Sequence, residues 1–428
     1  MWRNKMTINE KVVNRRAIEA LRAGVPNQDA VRVLGSSQPL LEKRFIERLK
    51  SAQQSFAENK QSQGILLAGD FGTGKSHLLE HFKSIALNAN FVCSKIVISK
   101  ETPLSHPLKL YRSAIESATV PGRRGNALSS VASCLNFHSD GYANLYKYVN
   151  SPKCDISSRF AATLYLYEYT KGDDEIQDRI IRFWAGDPIN ISELKRYLKE
   201  AGEAATYRID KVTVPELALQ RFKFFPQLIR AAGFSGWVLL VDEAELIGKY
   251  SIRQRARSYS ELARFMGKLE NSSIPGLMSV FAITTTFESE VLEQRNDIEK
   301  IPAKFGESTD PEETLMGSQA VRGMQIIQSE KQILEPLDMN KIQETYNKLL
   351  SIYNLAYDWP PPNKFTELDK TARIRQHIKR WITEWDLRRF YPEYDPVIES
   401  TELKPDLEED SAIENNEDNE TESINPDI

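Results

Sequence analysis

The sequence is poor in the residues that build disulfide frameworks and metal centres. Among 428 residues there are three cysteines and five histidines, and neither type shows the spacing of metal ligands. Cys93, Cys134 and Cys154 form no CxxC pair, which argues against a structural zinc site and favours a reducing compartment. No apolar run approaches the roughly 20 residues that a membrane span requires, and residues 1–6 lack the apolar core of a signal peptide. We therefore expect a cytoplasmic protein with no membrane partner.

Aromatic and basic residues are scarce at one end of the chain. Residues 399–428 contain twelve Asp or Glu, one Lys and no aromatic residue. Such a segment cannot bury enough apolar surface to fold, so we expect a disordered acidic tail. A solubilising role is favoured, and the alternative is an interaction arm or a mimic of nucleic acid that shields a basic surface. Without this tail the body is mildly basic, which is compatible with nucleic acid as a partner.

What the sequence does contain is a complete GxxxxGKS phosphate-binding motif at residues 69–76, between an apolar strand-type run and a helical pattern. Its glycines allow backbone N–H groups to surround a polyphosphate, and the helix directs its positive end at the same oxygens. Lys75 is predicted to reach the β- and γ-phosphates, and the Ser76 hydroxyl to hold Mg²⁺. The residues predicted to bind ATP are Gly69, Phe71, Gly72, Thr73, Gly74, Lys75, Ser76 and His77.

Two further apolar strands end in polar residues that suit phosphoryl transfer. One strand ends in Asp242 and Glu243. Asp242 is predicted to hold Mg²⁺, and Glu243 to orient or deprotonate the attacking water. The strand at 277–283 ends at Thr284, which is predicted to sense the γ-phosphate or position the water, with Thr285 as the alternative. A turn residue that satisfies backbone groups is the competing interpretation.

Arginines are candidates for stabilising charge in the transition state. Arg295 is predicted to reach the nucleotide of a neighbouring subunit, Arg322 is the alternative, and a surface role competes for each. The segment 249–259 is basic, carries two tyrosines and follows the acidic strand end. It predicts either a nucleic-acid surface with tyrosines stacking on bases, or contacts with the protein's own nucleotide or with Glu261 and nearby acids.

Strands separated by helical patterns predict a parallel α/β sheet with crossover helices. We expect a P-loop core interrupted by a large helical insertion and followed by a helical lid. The expected segments are an N-terminal helical segment (1–60), an ATPase core (61–105 and 234–337), the helical insertion (106–233), the C-terminal lid (338–398) and the acidic tail (399–428).

Beyond the phosphate-binding motif, the chain resembles the ATP-binding proteins of BREX phage-defence systems (BrxD). The resemblance rests on residues 69–76, 97–103 and 239–262, and it extends through 292–297 to 381–387. It implies an AAA+-like ATPase, related to origin-recognition ATPases. The implied partners are methyltransferase, phosphatase-like or helicase components that act with it against phage.

Two further expectations follow from the resemblance. The lid of an AAA+ protein supplies an arginine to the nucleotide, for which Arg373 and Arg375 are the candidates. Asp70 departs from the usual loop, and its acidic side chain must point away from the nucleotide or weaken binding.

We therefore expect a homo-oligomeric, Mg²⁺-dependent ATPase that acts on DNA or DNA-bound partners. The alternative is a non-enzymatic ATP-dependent switch or scaffold that recruits defence or helicase partners. A small-molecule kinase is less favoured because no acceptor-binding motif is apparent.

Overall fold

The computed structural model describes residues 8–25, 27–151, 155–335, 338–363, 365 and 374–393. The predicted acidic tail and the candidate Arg373 lie outside the described residues. Within the described residues, no helix is both long enough and apolar enough to cross a membrane.

Within the described residues, three helices precede the first strand, in the segment that the sequence predicts to be helical. They are α1 (Ile8–Ala23), α2 (Gln28–Leu34) and α3 (Pro39–Ala57). The Asn27 side chain accepts a hydrogen bond from a backbone N–H in the first turn of α2, and Pro39 occupies the first position of α3. Both are residue types that favour helix starts.

The remaining elements alternate strands with helices, and seven helices lie between the second and third strands. In chain order the elements are β1 (Ile65–Ala68), α4 (Lys75–Asn88), β2 (Val92–Val97), α5 (Pro107–Glu116), α6 (Ala127–Ala132), α7 (Asp140–Val149), α8 (Ser158–Tyr169), α9 (Asp174–Ala185), α10 (Ile191–Glu200), α11 (Val214–Ala231), β3 (Trp237–Asp242), α12 (Ile252–Phe265), β4 (Leu277–Ile283), α13 (Asp297–Phe305), α14 (Pro311–Ser329), β5 (Gln332–Ile333), α15 (Met339–Tyr357) and α16 (Ile374–Phe390).

The strands form one parallel sheet in the order β2-β3-β4-β1-β5. Strands β1, β3 and β4 are buried along their whole length, as expected for parallel strands covered on both faces. The strands predicted before residue 69, before Asp242 and at 277–283 are present as β1, β3 and β4, and the mixed α/β class is confirmed. The short β5 was not predicted, because two residues that include Gln332 carry no strand pattern.

Separate apolar clusters cover the two faces of the sheet. Helices α5–α11, α12 and α14 pack on one face, and α3 and α4 pack on the other. A third cluster joins α1 and α2 to α15 and α16, through buried residues that include Ile18, Tyr346, Trp381 and Trp385. The two ends of the described chain therefore share one core beside the sheet.

Candidate functional site

The loop at 69–74 connects β1 to α4 at the carboxyl edge of the sheet. Gly72 has φ +76° and Gly74 has φ +103°, a region that glycine enters without steric cost. A Cβ atom on Gly69 would lie 2.8 Å from the Thr73 hydroxyl oxygen. The spacing of small residues therefore follows from how tightly the loop closes on itself.

Lys75 begins α4 and is buried, and its side chain folds back over the loop. Its Nζ donates to the carbonyl oxygens of Gly69 at 2.6 Å and Asp70 at 3.3 Å, and lies 5.0 Å from the centroid of the Phe71 ring. Burial lowers the pKa of the ammonium group, and the Glu245, Asp242 and Asp70 carboxylates oppose that shift. The loop thus contains a desolvated cation bound to its own backbone.

The Asp70 side chain points away from the interior of the loop. Its carboxylate accepts a hydrogen bond from the Thr285 hydroxyl, just beyond the carboxyl end of β4. Asp70 and Thr285 meet because β1 and β4, the strands that precede them, are adjacent. Ala68 of β1 pairs with Ile283 of β4. Of the two outcomes that the sequence left open for this acid, the structure has the one in which it turns aside.

Asp242 and Glu243 lie at the carboxyl end of β3, as the sequence predicted. Asp242 is buried, and its Oδ1 accepts a hydrogen bond from the Glu243 backbone N–H at 3.1 Å. Glu243 has φ +56°, a conformation that is uncommon for a non-glycine residue and costs energy. Glu243 is exposed as a residue, yet partial burial of its carboxyl group and the nearby Asp242 charge raise its pKa.

Glu245 is a member of this site to which the sequence pattern assigned no role. It lies in a 3₁₀ segment (Ala244–Lys249), is 1% exposed, and its Oε1 is 3.8 Å from Lys75 Nζ. Burial raises the pKa of this carboxyl to about 7, while the Lys75 charge opposes the rise. Its place two residues after Glu243 was visible in the sequence, but its burial was not.

Thr284 follows β4 beside the loop. It is buried, and its hydroxyl oxygen has no hydrogen-bond partner among the described residues. Thr285 is already bonded to Asp70. Since a buried hydroxyl normally finds a partner, Thr284 is the better placed of the two to bind something that the structure does not contain.

A cavity of about 340 Å³ opens beside the loop. Its walls come from the loop itself, the start of α4, the N-terminal helices, α15 and α16, and include Gly74, Ser76, His77, Gly35, Thr345, Lys348, Ile378 and Arg375. The His77 ring bonds to the Gly35 carbonyl oxygen at 2.8 Å, and burial lowers its pKa. His77 thus lines the cavity as a neutral imidazole tied to the segment between α2 and α3.

Arg375 is the lid candidate that falls within the described residues. It lies at the second position of α16 and lines the cavity. Burial is the largest effect on both Lys75 and Glu243: the Arg375 charge adds to the lowering of the Lys75 pKa and opposes the rise in the Glu243 pKa. The cation therefore faces the same space as the loop and the acidic strand end.

Two arginines, Arg295 and Arg322, were candidates for stabilising transition-state charge from a neighbouring subunit. Neither is among the residues that line this cavity. Arg322 donates hydrogen bonds to Glu330 at 3.1 Å and to Gln325 on its own helix. Such contacts are typical of a surface arginine, which was the competing interpretation of this residue. Arg295 is half-buried, and its charge acts on the buried hydroxyl of Tyr259. Neither contact tests a role toward a neighbouring subunit.

The segment 249–259 is not an exposed basic loop, because most of it belongs to α12. Arg255 forms two 2.8 Å hydrogen bonds with the Asp297 carboxylate, and Tyr259 donates to the same carboxylate. Both this tyrosine and Tyr250 are buried. The prediction that these tyrosines stack on bases is therefore wrong, since the residues face the protein interior. Within the segment, Arg255 pairs with Asp297 and Arg253 pairs with Glu313 at 2.7 Å, and Glu261 pairs with Arg264.

The described residues contain no group of three or more His, Cys, Asp or Glu that could hold a metal ion. The predicted metal residues, Ser76 and Asp242, would supply one hydroxyl and one carboxylate. This is a ligand set that suits Mg²⁺ only when phosphate oxygens and waters complete the shell.

A family of known proteins matches most of the chain. The family described as BREX system ATP-binding protein BrxC/D matches residues 10–134 and 147–361, and that description does not separate BrxC from BrxD. The match stops before α16, so the resemblance predicted for 381–387 stays a prediction. No curated protein matches the chain.

Proposed function

This chain belongs to the family of BREX system ATP-binding proteins BrxC/D, and from that membership we propose that it is a Mg²⁺-dependent ATPase with a P-loop core of the AAA+ type. The observation that carries the proposal is the meeting of Lys75, Asp242 and Glu243 at one edge of a parallel sheet. Ligands of open α/β sheets bind outside the carboxyl ends of the strands.

We assign the phosphates to residues 69–76 and the base and ribose to the adjoining cavity. The glycine conformations, the start of α4 and the buried ammonium of Lys75 support the first assignment. The cavity has the size range of small-molecule sites and mixes apolar with polar walls. In this arrangement Phe71, Thr73 and His77 shape the site, and Ser76 faces the nucleotide.

Ser76 and Asp242 would hold Mg²⁺, which when bound neutralises charge on the phosphate oxygens. Glu243 would orient the attacking water and accept its proton as the water oxygen bonds to the γ-phosphorus and the bond from that phosphorus to the bridging oxygen of ADP breaks. The raised pKa of its carboxyl supports a role as base. Thr284, with its unpartnered buried hydroxyl, would bind the water or a γ-phosphate oxygen.

Two arginines would complete the charge of the site. Arg375 is the proposed lid arginine, since it already lines the cavity. Arg295 is the proposed finger toward a neighbouring subunit, which requires a homo-oligomer. We propose an ATPase core of 61–105 and 234–337, a helical insertion of 106–233 and a lid of 338–398.

Family membership supports work within a BREX defence system, beside its other components. We propose that ATP turnover in the cytoplasm drives a change in DNA or in a DNA-bound partner. The alternative is a switch or scaffold that binds ATP, recruits partners and turns over slowly or not at all.

The test is ATP hydrolysis by the purified chain, with and without DNA, for wild type and Glu243→Gln. We expect Glu243→Gln to bind ATP with unchanged affinity and to lose about 10²-fold or more in turnover, because the water loses its base. Glu116→Gln, an exposed carboxylate on α5, is the matched control and should retain full activity.

Equal turnover in Glu243→Gln and wild type would remove Glu243 from catalysis. Stimulation by DNA that falls steeply with salt would support the nucleic-acid role. Negligible turnover under all conditions, together with tight ATP binding, would favour the switch.

A further inference from the structure

Glu245 is a buried acid whose oxygens lack ordinary partners. Neither carboxylate oxygen has a hydrogen-bond partner of ordinary geometry among the described residues. Lys75 and then its own backbone N–H favour the charged form, and the Asp242 and Glu243 charges oppose it. Buried carboxylates are normally hydrogen-bonded or paired, because leaving one unsatisfied is costly. A local structural role therefore does not account for Glu245.

The position of Lys75 explains what the acid does. Lys75 Nζ lies 3.8 Å from Glu245 Oε1 and donates to two carbonyl oxygens of its own loop. The two carbonyl contacts hold the ammonium against its own loop, and Glu245 attracts it toward the segment that follows β3. The phosphates of a nucleotide would compete for the same ammonium.

We propose that Glu245 is a positioning residue that retains Lys75 in the empty site and thereby lowers the affinity for ATP. On binding, the phosphates replace Glu245 as the counterion of Lys75. This inference rests on the proposed function, because it requires that the loop bind a nucleoside triphosphate.

Two effects of the Glu245 carboxylate both lower the affinity for ATP. A ligand must first displace the Lys75 ion pair, and this reduces its apparent affinity. The negative charge also stays close to the incoming phosphates in a poorly solvated site, where charges interact strongly. Asp70 is the contrast, because its carboxylate accepts a hydrogen bond from Thr285 and acts on Lys75 less strongly than Glu245 does.

The test compares nucleotide affinity in wild type, Glu245→Gln and Lys75→Ala by calorimetric titration with ADP, AMP and a non-hydrolysable ATP analogue. Glutamine keeps the shape and removes the charge. We expect Glu245→Gln to bind the ATP analogue roughly tenfold tighter, as a lost charge repulsion at this range implies. AMP, which has no β- or γ-phosphate, should change by less than about twofold.

The comparison with AMP separates this role from a general change in packing, which would alter the affinity for all three nucleotides alike. An unchanged or weakened affinity of folded Glu245→Gln for the ATP analogue overturns the inference. If Glu245→Gln does not fold, Glu245→Met carries the same expectation, since an apolar chain of similar length suits the buried position.

Failure of the proposed function has a different signature. Absence of ATP binding by wild type, or equal binding by wild type and Lys75→Ala, overturns both the function and the inference. Binding that is lost in Lys75→Ala but identical in wild type and Glu245→Gln overturns the inference alone.

Discussion

The molecule contains two buried charge clusters that look alike in composition and differ in how well they are satisfied. In one cluster, Arg255 donates two 2.8 Å hydrogen bonds to Asp297, and the Tyr259 hydroxyl donates a third at 2.9 Å. In the other, Lys75 lies 3.8 Å from Glu245, whose oxygens have no hydrogen-bond partner among the described residues.

From this difference in hydrogen bonding we interpret the Arg255–Asp297 cluster as structural and the Lys75–Glu245 cluster as part of the candidate site. The saturated cluster joins α12 to the start of α13, and Asp297 is fully buried with both carboxylate oxygens hydrogen-bonded. The unsatisfied cluster lies beside a cavity. A charged ligand bound there would supply the bonding partners that its polar groups lack. Buried groups that stay unpartnered, with shifted pKa values, are concentrated at functional sites.

Breaking the saturated cluster should have the largest effect on stability. Asp297→Ala leaves Arg255 buried without its carboxylate and should cost about 3–5 kcal/mol in the free energy of unfolding, measured by denaturant titration. Asp178→Asn is the control, because it breaks an ion pair whose side chains are 59% and 63% exposed and should cost less than about 1 kcal/mol. Equal losses in the two variants would contradict the distinction between the clusters.

Breaking the unsatisfied cluster should remove ligand-linked stability instead. At ATP concentrations 100 times its dissociation constant, wild type should gain about 2.7 kcal/mol. Lys75→Ala should gain almost nothing, because the phosphates lose their buried ammonium. Unfolding with and without Mg²⁺·ATP measures both gains. A full gain in Lys75→Ala would show that ATP binds elsewhere.

The pH dependence of stability sharpens the same contrast. Burial raises the pKa of Glu245 to about 7, so the folded state holds this proton more tightly than the unfolded state. The stability from that proton is present below about pH 4.5 and is lost as the pH rises through about 7. Relative to Glu245→Gln, wild type should lose on the order of 2 kcal/mol across this window. Parallel pH profiles for the two proteins would contradict the burial of a titrating acid here.

The smallest effect on ATP affinity is expected at Asp70, whose charge acts on Lys75 less strongly than that of Glu245. Asp70→Asn keeps a hydrogen-bond acceptor for Thr285 at an exposed contact. The dissociation constant for ATP should change by less than about threefold, in contrast to the larger change at Glu245. A tenfold gain in affinity would mean that Asp70 turns toward the phosphates in the bound state.

Much of the fold was predictable because its strands are strongly apolar and punctuated by polar ends. Runs such as Trp237–Asp242 and Leu277–Ile283 are wholly buried, and such runs identify parallel strands directly. The misjudged segment was 249–259. Its arginines and tyrosines suggested an exposed surface. This interpretation failed because the sequence does not reveal that Asp297, far along the chain, neutralises Arg255 inside the protein.

The sequence by itself determined the loop at 69–76, the acids at 242 and 243, and the parallel α/β class, since each depends on residue types at short spacing. Tertiary structure alone decided which acid pairs with Lys75, because it exposes Asp70 beside Thr285 and buries Glu245 within 3.8 Å of the Lys75 Nζ. It also joined α1 and α2 to α15 and α16 as walls of one cavity. Those helices lie more than 280 residues apart in the chain, and no local pattern encodes a contact over that distance.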